Sequence, residues 1–102
     1  SDYLDGVKRY DSGASADAVE KIVKHLGIAL KGKDSSLVSC SDTTELDRVR
    51  EKWSMKKLGE TDAGKCDEVI GTVCEEMKGD RQKDRVTFYY LVAKHHGKLG
   101  SL

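Results

Sequence analysis

Apolar residues recur along most of this chain at the three- and four-residue spacing of amphipathic α-helices. The clearest stripe falls between Val19 and Leu26, and Gly27 follows it as a stop signal. Before the stripe, Ser15 or Asp17 can offer a side-chain oxygen to the free amides of a first helical turn. These signals together predict a helix over this segment. Its inward-facing residues are Val19, Ile22, Val23 and Leu26.

The stretches on either side of this helix carry weaker patterns. Before it, helical spacing predicts a short first helix that ends before Gly13, with Leu4, Val7 and Tyr10 on one face. After it, residues 28–40 contain Gly32 and a polar cluster at 34–36, which favour turns. We therefore predict an ordered loop there.

A third helix is predicted from about Thr43 to Leu58. Asp42 can cap its first turn, while Glu45, three residues further on, has the spacing to reach back to the amide of Asp42 and complete a capping box. Gly59 offers the left-handed residue that commonly ends a helix. The inward-facing positions are Leu46, Val49 and Trp53.

A fourth helix is predicted to begin at Thr61 or Asp62 and to stop at Gly79. Its apolar stripe is Cys66, Val69, Ile70, Val73 and Met77.

A fifth helix is predicted to be capped by Asp80 and to reach about His96, before Gly97. Between Val86 and Ala93 it has almost no polar face, which is the pattern of a helix surrounded by others. The predicted fold is therefore all-α: a compact single-domain bundle of about five short helices around an apolar C-terminal helix, covering residues 1–102.

Composition places the chain among water-soluble globular proteins. It has 102 residues, of which 37% are hydrophobic and 35% charged. No apolar run approaches the roughly 20 residues that a membrane span needs, so no membrane partner is expected. The N-terminus carries Asp2 and Asp5 and lacks the profile of a secretory signal, so a cytoplasmic location is expected.

The three cysteines, Cys40, Cys66 and Cys74, are an odd and sparse set. Small secreted domains usually carry a dense, even-numbered disulfide framework, so free thiols in a reducing compartment are expected. Cys66 and Cys74 are eight residues apart, which places them on one helix face as small core residues.

The 18 basic and 18 acidic side chains are unevenly distributed. Acidic residues dominate between Glu60 and Met77, and basic residues dominate from Lys78 onward. One interpretation is two solvated helix faces; the other is a contact between chains in which the acidic face of one meets the basic end of another. The candidate interaction surface is Glu68, Glu75, Glu76, Lys78, Arg81, Lys83 and Arg85.

No motif for catalysis, a metal or a cofactor stands out. The histidines and cysteines lack the paired spacing of a zinc site, and the adjacent His95 and His96 would point about 100° apart on a helix. Nucleic acid is a disfavoured partner, because Tyr89 and Tyr90 lie in an apolar stretch and the isoelectric point is about 6.8.

Several of these elements resemble one known family. Ser41-Asp42, Glu45-Leu46, Val49, Lys56-Lys57-Leu58-Gly59 and Tyr89-Tyr90-Leu91-Val92, with Lys94, Gly97 and Lys98, are similar to the small bacterial proteins grouped as domain-of-unknown-function family 2853. The resemblance covers about the last two-thirds of the chain. It implies an all-helical, stand-alone bacterial protein in the cytoplasm, with no assigned activity and no catalytic residues to carry over.

Two function classes remain open from the sequence. The first is a non-enzymatic interaction or regulatory module, acting as a homo-oligomer or on another protein. The second is a small ligand-binding protein or enzyme whose site assembles from separate helices, which would show as a deep pocket lined by His25, His95, Tyr89 or Cys40.

Overall fold

A computed structural model of the chain describes residues 2–32, 36–80 and 82–101. Helices dominate these residues, as predicted, and a small antiparallel sheet accompanies them. The main helices are α1 (Asp2–Lys8), α2 (Ala16–Leu26), α3 (Thr43–Arg48, continuing as a π-helix over Val49–Lys57), α4 (Ala63–Glu76) and α5 (Arg85–His96). Short 3-10 turns follow α2 and α5, at Gly27–Leu30 and Leu99–Ser101.

Side-chain caps set the first residue of four helices. At α2 the cap is Ser15, whose Oγ accepts from Ala18 N; at α4 it is Asp62, whose Oδ1 accepts from Lys65 N at 3.1 Å. Asp42 caps α3 as predicted. A cap oxygen reaches only two or three residues forward, so the sequence could narrow the caps to Ser15 or Asp17 for α2 and to Thr61 or Asp62 for α4, and the structure selects Ser15 and Asp62.

The predicted cap of the fifth helix was wrong. Asp84, not Asp80, precedes α5 and accepts from Thr87 N at 3.0 Å. Asp80 instead binds the first part of the chain, accepting from Arg9 Nη2 at 3.2 Å and from the Tyr10 hydroxyl. Lys83 and Asp84 form a strand and therefore do not join the helix.

The sheet consists of β1 (Leu37–Val38) and β2 (Lys83–Asp84), which pair antiparallel with Leu37 opposite Asp84. The sequence predicted only a loop at β1, because two residues are too few to show an alternating pattern. Residues 33–35 of that loop lie outside the described residues.

The second half of α3 is wound more widely than an α-helix. Its hydrogen bonds run from residue i to i+5, and the last of them joins Leu58 N to Trp53 O at 2.9 Å. Val49, Trp53 and Ser54 of this segment are buried. The predicted span of the third helix was therefore confirmed, but its winding was not foreseen.

Helix α5 is the centre of the fold, as its apolar sequence predicted. From Arg85 to Ala93 every residue is buried, and α1, α2, α4 and the π-helical part of α3 all pack against it. The Trp53 indole donates to Tyr89 O at 3.0 Å and ties the π-helix to α5. Among the described residues no helix has the length and apolar character needed to cross a membrane.

Candidate functional site

An open surface groove of about 720 Å³ lies between the sheet and the C-terminal end of α4. One wall is β1 with the segment that follows it, and the opposite wall is the last turn of α4. Its lining residues are Leu37, Val38, Ser39, Cys40, Ser41, Cys74, Glu75, Lys78, Gln82 and Lys83. We call this depression the sheet groove.

A disulfide between Cys40 and Cys74 crosses the sheet groove, with the two Cα atoms 6.0 Å apart. The expectation of three free thiols is therefore wrong: Cys66 alone of the three is free. Cys74 is only half-buried, whereas Cys66 is fully buried in the core as predicted. Composition could not reveal this bond, because the two cysteines are 34 residues apart and an odd count does not say which two pair.

Charged residues of both signs line the sheet groove. Glu75 Oε1 lies 3.4 Å from Lys78 Nζ, and both side chains are exposed. Lys83 Nζ donates to Asp80 O at 3.1 Å. Three members of the predicted interaction surface therefore meet in one place.

The other members of that surface lie elsewhere. Glu76 is hydrogen-bonded to His95 at 3.1 Å, and Glu68 is exposed on α4. Arg81 lies outside the described residues. Arg85, although predicted as a surface residue, is buried, because its guanidinium has partners in the interior.

Arg85 forms a buried ion pair that anchors β1. Its Nη2 atom is 2.5 Å from Glu45 Oε1 and donates to Leu37 O at 3.0 Å, and its Nη1 donates to the Tyr89 hydroxyl at 3.3 Å. Only half of the predicted capping box therefore forms. Asp42 caps α3, but the Glu45 side chain turns inward to Arg85. A buried guanidinium without a carboxylate is costly, whereas the exposed amide of Asp42 can bind water instead.

A second cluster of polar groups lies inside the bundle. His96, Ser54 and Cys66 come from the end of α5, the π-helix and α4, and the His96 side chain is fully buried. The Ser54 hydroxyl and both His96 ring nitrogens have no hydrogen-bond partner, and Glu60 Oε2 lies 3.7 Å from His96 Nδ1. None of these four residues lines the sheet groove.

Burial controls the protonation of this inner cluster. It lowers the pKa of the His96 imidazole, an effect that the nearby Glu60 carboxylate opposes. Burial also raises the pKa of the Cys66 thiol, although the neighbouring Ser54 hydroxyl acts in the other direction. Both shifts favour the uncharged form of the group.

Two smaller grooves lie elsewhere on the surface. One of about 450 Å³ lies beside Asp11, Lys21 and Tyr90, and one of about 390 Å³ lies between α1 and α2 against Leu4 and Val23. Of the four residues expected to line an assembled pocket, Cys40 alone lines one of these three grooves.

The other three residues expected to line that pocket, His25, His95 and Tyr89, make their contacts outside these grooves. His95 pairs with Glu76 at 3.1 Å. The His25 ring packs on Trp53 at a centroid distance of 5.0 Å, and Trp53 packs on Tyr89 at 4.8 Å. Tyr89 and Tyr90 are buried, as predicted from their apolar surroundings. Within the described part of the chain, no group of three or more His, Cys, Asp or Glu side chains could hold a metal ion.

A family model described as "Protein of unknown function (DUF2853)" matches residues 2–100. The chain belongs to this family. The match confirms the resemblance and extends it over α1 and α2, and it includes every residue that lines the sheet groove. A comparison of the DUF2853 chain with curated proteins found no match.

Proposed function

We propose that this chain is a non-enzymatic interaction module that self-associates through the sheet groove. The observation that carries the proposal is that side chains of opposite charge, Glu75 on one hand and Lys78 and Lys83 on the other, line one open groove. The proposal keeps the bacterial, cytoplasmic setting that the sequence and its family resemblance predict.

The charges of the groove are available to a partner. The Glu75 and Lys78 side chains are 77% and 74% exposed, and they pair with each other over one helical turn. Exposed pairs of this kind contribute roughly 0–1 kcal/mol. Exchanging such a contact within one chain for the same contact between chains therefore costs little.

A patch that carries both signs is complementary to itself under a two-fold rotation. Glu75 of one copy can face Lys78 of a second copy, and the symmetric contact forms at the same time. These charges orient the encounter, whereas buried apolar area must supply affinity. The groove offers such area at Leu37 and at the Cys40–Cys74 disulfide.

Charge reversal tests this arrangement by sedimentation velocity over a concentration series. Glu75→Lys and Lys78→Glu should each abolish self-association, because every contact between copies becomes a like-charge contact. An equimolar mixture of the two variants should restore a dimer, since both symmetric contacts then join opposite charges. Wild-type association should weaken as ionic strength rises and the screening length shortens.

Matched controls lie on the exposed part of the π-helix. Glu51→Lys and Lys52→Glu change charge equally but lie outside the groove lining, so they should leave association unchanged. Wild-type protein that stays monomeric at all accessible concentrations, or a mixture that fails to restore the dimer, would overturn the proposal. Native mass spectrometry that finds a small molecule bound to such a monomer would favour the ligand-binding alternative.

A further inference from the structure

We propose that the Cys40–Cys74 disulfide is a reversible thiol switch that holds or releases one wall of the sheet groove. The effect of the switch on self-association rests on the function proposed above. The switch itself rests on where the two sulfur atoms lie and on which segments they join.

Position makes this disulfide open to exchange. Both cysteines are only partly buried and both line the open groove, in contrast to the fully buried Cys66. Thiol–disulfide exchange requires a thiolate to reach a disulfide sulfur. In a reducing compartment, disulfides are usually catalytic or redox-sensing.

The bond joins two elements that otherwise have separate anchors. Cys40 follows β1 and Cys74 lies in the last turn of α4. On the N-terminal side of Cys40, β1 is held independently of the disulfide by the Arg85 guanidinium, which binds Leu37 O at 3.0 Å, and by pairing with β2. Breaking the bond should therefore free residues 39–41 from α4 while β1 stays in place.

The hydrophobic core does not depend on the disulfide. Its buried members come from all five helices and from β1, and they include neither Cys40 nor Cys74, which pack against the core from its edge. Opening of the bond should therefore be local. Because a disulfide mainly restricts the unfolded chain, its loss should still lower Tm by on the order of 10 °C.

The chemistry needs only a small thiol such as glutathione. Its thiolate attacks the Sγ atom of one cysteine, the S–S bond breaks, and the other cysteine leaves as a thiolate that takes up a proton. A second thiol cleaves the resulting mixed disulfide. In total, two small thiols are oxidised to their disulfide, and Cys40 and Cys74 gain two electrons and two protons. Glutathione disulfide drives the reverse reaction.

The test uses the full chain in graded buffers of reduced and oxidised glutathione. Native alkylation followed by intact mass measurement should show two modified cysteines in reduced protein and none in oxidised protein, with reversible interconversion. Cys66 should react only after denaturation. Hydrogen exchange should accelerate at residues 39–41 on reduction and stay unchanged in α5.

Two variants distinguish the effect of reducing the Cys40–Cys74 disulfide from other effects of the reductant on the protein. Cys66→Ala should retain the whole response, whereas Cys40→Ser/Cys74→Ser should show fast exchange at residues 39–41 in every buffer. A disulfide that never forms in oxidised buffer, or that is reduced only when the protein unfolds, would overturn the switch. Reduction without faster exchange at residues 39–41 would also overturn it.

Sedimentation of the two redox forms distinguishes this inference from the proposed function. Loss of the dimer on reduction supports both. If the disulfide cycles and the wall opens while both forms are monomeric, the switch stands and self-association fails. If the dimer persists in both forms while residues 39–41 open, the released wall is not part of the contact and the switch does not control association.

Discussion

At the scale of single residues, the most informative side chains are buried polar ones with unusual partners. His96 is enclosed with both ring nitrogens unpartnered, and Arg85 is enclosed in a network with Glu45, Tyr89 and β1. An unpartnered buried group lowers stability, while a paired buried charge becomes costly only when one partner is lost. The two sites therefore predict opposite responses to mutation.

Stability should fall as the pH drops below about 6.5 because of His96. Burial lowers the imidazole pKa in the folded state, so the unfolded state binds the proton more tightly. The contribution of His96 to the free energy of unfolding is therefore complete above the unfolded-state pKa. It is lost as the pH falls from that value through the lower folded-state pKa. Urea unfolding between pH 8 and pH 5.5 measures the slope.

His96→Leu supplies the control for that slope. It should reduce the slope in this window, where His25, whose pKa burial also lowers, still contributes. It should also raise stability at neutral pH by about 1 kcal/mol, since it replaces an unpartnered polar ring with an apolar group. The groups whose charges act on His96 are Glu60, Lys65, His95 and Lys98, and all stay in place. An unchanged slope in the variant would assign the acid response to other groups.

Arg85→Met should destabilise the protein by about 3–5 kcal/mol, because it removes the close cation partner of the nearly buried Glu45 carboxylate and leaves it only the longer pair with Arg48 at 3.9 Å among the described contacts. Adding Glu45→Leu should recover much of that loss, since a well-packed apolar pair often replaces a buried ion pair at little cost. Chemical denaturation of the single and double variants measures both effects.

The matched control is an exposed cation of a surface pair, Lys21, whose Nζ lies 3.4 Å from Asp17. Lys21→Met should change stability by less than about 1 kcal/mol. A double variant no more stable than Arg85→Met would show that the guanidinium matters through its bond to Leu37 O and not through Glu45.

At the scale of elements, α5 organises the bundle and its neighbours supply the surface. Its residues between Arg85 and Ala93 are all buried, while α4 keeps its acidic face in solvent. The sheet fixes where α5 begins, since β2 ends at the residue that caps the helix, Asp84. The position of α5 therefore sets the position of the sheet groove.

Leu91→Ala should destabilise the protein by about 2–5 kcal/mol, because Leu91 is fully enclosed in α5 and its truncation leaves a cavity. Lys94→Ala on the same helix is the control, because Lys94 is exposed and its pair with Asp11, at 3.7 Å, is long. Thermal unfolding should separate the two variants clearly. Equal melting temperatures would contradict the central position of α5.

At the scale of the whole molecule, contacts distant in sequence close the bundle. The Tyr10 hydroxyl donates to Asp80 over 70 residues, and the Tyr90 hydroxyl donates to Asp11 at 2.7 Å over 79 residues. Burial, reinforced by the acceptor carboxylate, raises the pKa of each tyrosine to about 12. These bonds join the segment after α1 to the turn between α4 and β2 and to the middle of α5.

Stability should therefore decline as the pH rises above about 10. A raised folded pKa means that the folded state holds the phenol proton more tightly, so this stabilisation is complete below the unfolded value and is lost as pH rises through the folded one. Tyr10→Phe/Tyr90→Phe should reduce the alkaline slope between pH 9 and pH 11.5. Tyr3→Phe, on a tyrosine with no such bond among the described contacts, should keep it.

The helices could be predicted from the sequence because their signals are local. The cap at Asp42, the stop at Gly59 with its φ of +78° and the apolar run of α5 each act over a few residues, so their pattern is visible without a structure. The cap of α5 was misplaced by four residues because Asp80 and Asp84 offer the same local signal. Only strand pairing distinguishes them.

The residues of the candidate site could be predicted from the sequence only in part. The uneven charge pattern pointed to Glu75, Lys78 and Lys83, which do line one groove. The disulfide that crosses the groove joins residues far apart in the chain, and so does the pairing of Arg85 with Glu45. A helical pattern states which face a residue occupies but not which distant residue meets it, and only the packed bundle decides those partners.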